Sequence, residues 1–428
     1  MEKKKMIYDV NETPPKGKWV MLAMQHVFAM FGATILVPIL VNSAAGKEVL
    51  TIPVALVASG IGTLIYILCT KKKSPVYLGS SFAFITPIAA AYLKGGIGAA
   101  MTGVMCVGLI YVIVAIIIRF VGKEWLEKLL PPIVIGPMIM IIGLGLAPSA
   151  IGQLGLAEGS LDWKVLLVGF VSFIVTAVTM TRAKGFLRII PFLIGIISGY
   201  VLAVILGMVD FSEVSKASFF SIPKFVLPFK DYKINLLGLV TIAPIALVTL
   251  CEHIGDHTSL SNIIGKDLIK DPGLDRTILG DGIATFVAGF IGGPANTTYG
   301  ENTSVVGMTK VASVKVIALA AIFSIIIGFL GKVTAVAKSI PNAVLGGVSL
   351  LLYGFIAVNG LKVLIKNQVN FEKNKNIIVA SSMLVLGLGG AAISIVSGDF
   401  SLTISGMSLA AIVGILLNIF IKDTEENI

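Results

Sequence analysis

The chain has 428 residues, 56% of them hydrophobic and 13% charged, and carries a net charge of +10. No soluble globular chain needs that much apolar surface, so a water-soluble domain is excluded and a polytopic membrane protein is indicated. The basic excess falls mostly on alternate loops, which points to membrane topology rather than to nucleic acid.

In chain order, residues 1–18 form a charged tail containing Pro14 and Pro15. The tail is no cleaved signal, because the apolar run behind it is too long and many more follow. A span needs about 20 apolar residues. Fourteen membrane segments are predicted near 19–42, 51–70, 76–92, 96–118, 130–148, 163–181, 189–209, 235–259, 277–292, 298–309, 316–335, 342–361, 377–397 and 402–421. The Lys and Arg bias of the loops places both termini in the cytoplasm of a multi-pass cell-membrane protein. The three cysteines, Cys69, Cys106 and Cys251, lie in or beside apolar runs and read as reduced thiols.

Two segments are poor spans. "KKKSPVYLGSSFAFITPIAAAYL" is interrupted by Pro75, Gly79, Ser80, Ser81 and Pro87. "GGPANTTYGENTSVVGMTK" is interrupted by Gly292, Gly293, Pro294, Gly300 and Gly307. Each reads as extended backbone leading into a half-helix, with Ser80 or Ser81 as the candidate cap of the first and Thr298 or Asn302 of the second. Irregular backbone at membrane depth is tolerated where it lines a cavity, and such segments at matching places in two halves of a transporter mark the binding site. The halves do match: Gln25–His26 on the first span and Glu252–His253 on the eighth each precede a broken segment two spans later. The repeat covers seven segments, an odd number, so the second copy is inverted.

Ionisable residues within the spans are functional candidates, because burying them in hydrocarbon is costly. They are His26, Glu252, His253, Asp256, His257 and Glu301. Glu252 and Asp256 share one helix face at i,i+4, and His253 and His257 share the adjoining one. "HIGDH" has the form H-x-x-D-H, close to an inverted zinc-protease pattern, so an intramembrane metalloenzyme using His253, Asp256 and His257 is a remote alternative. It needs a third ligand, and His26 is the remaining histidine. A further alternative sets His257 at the cytoplasmic end of its span, facing solvent. The favoured chemistry is recognition. Two carboxylates accept hydrogen bonds, and the half-helix N-termini near Phe82 and Gly300 donate them. A small, flat, neutral ligand with alternating N–H and C=O groups, such as a pyrimidine or purine base, fits that set. No cofactor is called for; a proton is the simplest counter-charge for carboxylates in a dry site, with sodium held by Asp256 and carbonyls as the alternative.

The stretches "QHVFAMFGATILVP", "YLGSSFAFITP", "CEHIG", "DPGLDRTILGDG", "NTTYGENTSVVGMTK" and "LGGVSLLLYGFIAVNGL" resemble the bacterial uracil permeases of the nucleobase–ascorbate (uracil/xanthine) transporter family over nearly the whole chain. The resemblance implies an all-α polytopic membrane protein of 14 segments in two inverted 7-segment repeats, with segments 3 and 10 broken and carrying short paired strands. It implies a core domain from 19–122 and 234–338 and a gate domain from 123–233 and 339–428. It also implies proton-coupled (or sodium-coupled) uptake by a homodimer in lipid, through an elevator-like motion of core against gate. Carried over by motif, Glu252 and Glu301 bind the substrate, the backbone amides of Phe82 and Gly300 meet its carbonyls, and Tyr353 is an aromatic on the gate side. There are two departures: Ser304 stands where the family usually has Gly, and Asp256 stands where some uracil permeases have His. The Glu252/Glu301 pair favours uracil, whereas Asp256 leaves xanthine or another purine open. Proton coupling then falls to Glu252, Asp256 or His257.

Overall fold

A computed structural model describes residues 6–157, 161–397 and 400–421. The ends of the predicted tail (1–5) and of the last predicted gate segment (422–428) lie outside the described residues. Helix α1 (Lys16–Ala45) starts behind Pro15, and α2 (Ile52–Cys69) is capped by the Thr51 hydroxyl, which accepts from the Val54 amide. Strand β1 (Leu78–Ser80) passes through a 3-10 turn at Phe82–Phe84 into α3 (Ile85–Val121). Next come α4 (Glu124–Leu129), α5 (Pro132–Gly145), α6 (Ala147–Gln153), α7 (Trp163–Arg182), α8 (Pro191–Ile205) and α9 (Ser212–Lys216). The second half runs through α10 (Leu237–Ile242), α11 (Ile245–Ile264), α12 (Leu274–Phe290), strand β2 (Asn296–Thr298), α13 (Gly300–Thr309), α14 (Val314–Gly328) and α15 (Gly331–Lys338). It closes with α16 (Asn342–Lys366), α17 (Asn374–Leu388), a hairpin of β3 (Ala392–Ser397) and β4 (Phe400–Ser405), and α18 (Gly406–Phe420).

Six helices among the described residues are long and apolar enough to cross a membrane, and four shorter apolar ones accompany them. Large apolar side chains such as Phe120, Phe170 and Val385 stay exposed on the outside, which suits a surface bathed in lipid rather than water. The chain is an integral membrane protein. α3 packs on α12 and α10, and α2 on α14 and α12; separately, α5 packs on α16, α7 on α8 and α16, and α17 on α18. Contacts of α11 with α5, and of α1 with α8, join these two groups of helices.

Five predicted segments take a different form. Segments 3 and 4 are one helical run, kinked where Gly95 and Gly96 leave helical geometry and Gly96 takes φ +66°. The eighth segment is divided between α10 and α11, which meet at Ala243–Pro244, and α11 continues to Ile264. The thirteenth and fourteenth predicted segments are each part strand, because Ala392–Ser397 and Phe400–Ser405 are rich in β-branched residues.

The two broken segments meet in the interior. β1 and β2 pair antiparallel, Leu78 opposite Thr298 and Ser80 opposite Asn296. The Ser81 amide donates to the Ala295 carbonyl and the Tyr299 amide to the Tyr77 carbonyl. Side chains of flanking helices supply what a two-stranded sheet leaves unpaired. Ser59 and Thr63 of α2 donate to the Leu78 carbonyl, and the Leu78 amide donates back to Thr63 Oγ1 at 2.9 Å. Thr285 of α12 donates to the Asn296 carbonyl. This answers the requirement that every backbone polar group at membrane depth find a partner within the protein. Gly79 is needed here: a Cβ on it would lie 2.2 Å from the Tyr299 ring.

Candidate functional site

The antiparallel strands leave in opposite directions, so the turn at Phe82 and the head of α13 at Gly300 both open on one space, and both residues line it. Helix N-termini present unpaired amides and a partial positive charge to such a space. The cavity has a volume of about 550 Å³ and is walled by α11, β2 and α13 on one side and by α8 and α16 on the other. Its deep end is buried, at Phe82, Thr298 and Tyr299; its mouth is marked by the exposed residues Arg188, Met308, Asn359 and Lys362.

Glu252 and Asp256 lie one turn apart on the cavity face of α11, and two successive threonines of β2 reach them. Thr297 Oγ1 donates to Glu252 Oε2 at 3.2 Å, and Thr298 Oγ1 to Asp256 Oδ2 at 2.5 Å. A carboxylate accepts bonds and cannot donate them, so each threonine holds one oxygen and leaves capacity on its acid for a ligand donor. Glu301 heads α13 on the same cavity. At the deep end the Phe82 and Tyr353 rings meet edge to face, with centroids 5.9 Å apart. The arrangement offers carboxylate acceptors, helix-terminal donors and aromatic walls to a small planar molecule.

The structure brings Phe82, Glu252, Asp256, Gly300 and Glu301 together around the cavity, with Tyr353 behind Phe82. His257 is not there. Far from facing solvent at a span end, it is fully buried on the other face of α11, because that helix continues to Ile264. His253 is buried beside it, their rings stacked at 4.0 Å. His26 pairs with Asn302, whose amide lies 3.1 Å from His26 Nδ1 and donates to the His26 carbonyl. Among the described residues no three His, Cys, Asp or Glu side chains are grouped to hold a metal ion, so the metalloenzyme alternative lacks its ligand set. None of the expected caps acts as one: neither half-helix has a side-chain cap bond. Ser304 donates to the Gly300 carbonyl at 2.9 Å.

The sequence reading passed over Thr297, Asn359 and the cations at the mouth and took Thr298 only for a cap; their places at the cavity come from strand pairing and helix packing. It also passed over Asp281, a carboxylate in the middle of α12, 1% exposed. Its signal was available: it is an ionisable residue inside an apolar run.

Comparison with known proteins bears on this geometry. The Permease family matches residues 17–396. The chain is 47% identical to the uracil permease of Bacillus subtilis (strain 168), covering 100% of this chain and 98% of that one. It is 48% identical to the uracil permease of Bacillus caldolyticus, covering 97% and 95%. Among solved structures it is similar to the murine solute carrier 26 family member A9 anion transporter, with a TM-score of 0.68 over 96% of this chain and 68% of that one, at 12% identity. That last likeness is one of fold alone.

Proposed function

We propose, from the premise that this chain belongs to the Permease family, that it imports uracil together with a proton. The observation that carries the reading is the convergence of Glu252 and Glu301 with two helix N-termini on one largely apolar cavity. Uracil presents ring N–H donors and carbonyl acceptors in alternation, the complement of that set. Relatives at 47% and 48% identity are named uracil permeases, which supports the same substrate.

On this reading the fourteen segments form two inverted repeats, with core (19–122 and 234–338) and gate (123–233 and 339–428) meeting at the cavity. A homodimer in the cell membrane, both termini cytoplasmic, would carry the core against the gate. The exposed Arg188 and Lys362 at the mouth fit the positive-inside bias, and on this reading the cavity opens towards the cytoplasm. Two carboxylates facing a neutral base in a water-poor site repel each other and are poorly solvated. A proton on Glu252, or shared with Asp256, relieves both costs and travels with the base. His257 supports that acid pair from the far face of α11. A second reading, a purine such as xanthine, is favoured by Asp256 four residues after Glu252. Sodium in place of the proton would use Asp256 and neighbouring carbonyls.

The test is uptake of labelled uracil into proteoliposomes under imposed proton and sodium gradients, in competition with unlabelled uracil, xanthine and uric acid. Saturable uptake driven by the proton gradient and displaced by uracil is expected. Uptake that ignores the proton gradient and follows sodium, or displacement by xanthine alone, overturns the reading.

A further inference from the structure

α11 carries two buried histidines on the face away from the cavity, and they differ in one respect. His257 is fully engaged. Its Nδ1 stands 2.7 Å from the His253 carbonyl oxygen, which can only accept, so Nδ1 carries the hydrogen. In the neutral ring Nε2 then accepts from the Tyr66 hydroxyl at 2.6 Å, and the Tyr66 oxygen accepts from Ser74 at 2.9 Å. Every polar atom of that ring is paired without a charge.

His253 is not so satisfied. Its Nδ1 lies 2.9 Å from Asp281 Oδ2, and both side chains are almost wholly buried. Neither His253 Nε2 nor Asp281 Oδ1 has a hydrogen-bond partner. The proton count decides the charge of this pair. With one hydrogen, on Nδ1, it is a neutral imidazole beside a carboxylate, net −1. With two it is net neutral, as imidazolium and carboxylate or as imidazole and carboxylic acid. A lone negative charge in a dry interior is costly, and a paired or neutral arrangement is not. Gain or loss of a single proton therefore changes the electrostatics of the region sharply. The ionisable groups that face the pair are Tyr66 on α2, Tyr111 on α3, and Glu252, Asp256 and His257 on α11. His253 follows Glu252 directly on α11, which sets the pair close behind the cavity carboxylates.

We propose that the His253–Asp281 pair is a second proton site, placed directly behind the substrate carboxylates and filled when the base is bound. With the extra proton the pair is neutral and no longer repels charge on Glu252 and Asp256. With the proton gone, its negative charge adds to theirs. Occupancy of the cavity and of the pair are thereby linked, while His257, tied to Tyr66 and Ser74, holds the backbone turn that positions His253. The inference rests on the proton-symport reading above.

The experiment measures proton uptake per uracil bound by the purified full-length protein with a pH-sensitive dye, alongside uracil affinity. Asp281→Asn should bind uracil within about threefold of wild type and take up about one proton fewer per uracil. The double variant His253→Gln/Asp281→Asn, an amide pair in which neither side chain can gain a proton, should do the same, and it decides the matter should Asp281→Asn fail to fold. Wild-type proton numbers in either folded variant overturn the proposal. Wild-type protein that binds uracil with no proton uptake at all sinks the symport reading first, and this inference with it.

Discussion

The two broken segments are built alike and equipped differently. Both run from a three-residue strand into a helical turn, and the strands pair residue for residue. The first, at Leu78–Phe84, brings only Phe82 to the cavity. The second, at Asn296–Thr309, brings Glu301, the two threonines that hold Glu252 and Asp256, and the Tyr299 ring that lies over Gly79. One half of the fold acts as a backbone platform and the other as the chemical reader, so a repeated architecture need not repeat its chemistry.

That contrast can be broken most forcefully at the acids. Replacing Glu301 or Glu252 by Ala strips a buried ligand donor of its acceptor and should weaken uracil binding on the order of 100-fold. Direct binding to the purified variants checks it, and wild-type affinity in both would remove them from the site. Glu301→Gln keeps a carbonyl acceptor, and its loss should be nearer tenfold, with xanthine competing better than in wild type. The glycines sharpen the contrast next. Gly79→Ala sets a methyl 2.2 Å from the Tyr299 ring and should cost about 1–3 kcal/mol of stability. Gly300→Ala meets nothing closer than the Asn359 amide at 3.8 Å, and its melting temperature should stay near wild type. The smallest effect is expected outside the membrane. Asp9 is held below the usual carboxylate range chiefly by the Lys266 ammonium that hydrogen-bonds it. Its folded pKa is the depressed one, so its stabilisation is present above the ordinary carboxylate pKa and fades as pH falls through the folded value. Both side chains are about half exposed, and Lys266→Ala should cost only about 0.2–1 kcal/mol, less at high salt.

The apolar runs, the two breaks and the acids on α11 were legible because each violates or fulfils a membrane rule within a short window. The caps were not. Thr298 spends its hydroxyl on Asp256, and Asn302 spends its amide on His26. Those demands come from residues tens to hundreds of positions away. The alternative that set His257 in solvent failed because a span's length in sequence does not fix where its helix ends; α11 continues several residues past the apolar run. The β3–β4 hairpin was hidden because an apolar run of β-branched residues satisfies a hydropathy window whether it coils or extends.

The pairing of β1 with β2 also bears on how the protein is made. More than 200 residues separate Leu78 from Thr298, so a ribosome delivers the first strand into the bilayer well before its partner exists. Ser59 and Thr63 precede Leu78 and already hold its amide and carbonyl. These two hydroxyls act as a placeholder, sheltering one residue of an otherwise unpaired strand until the second half of the chain arrives to complete it.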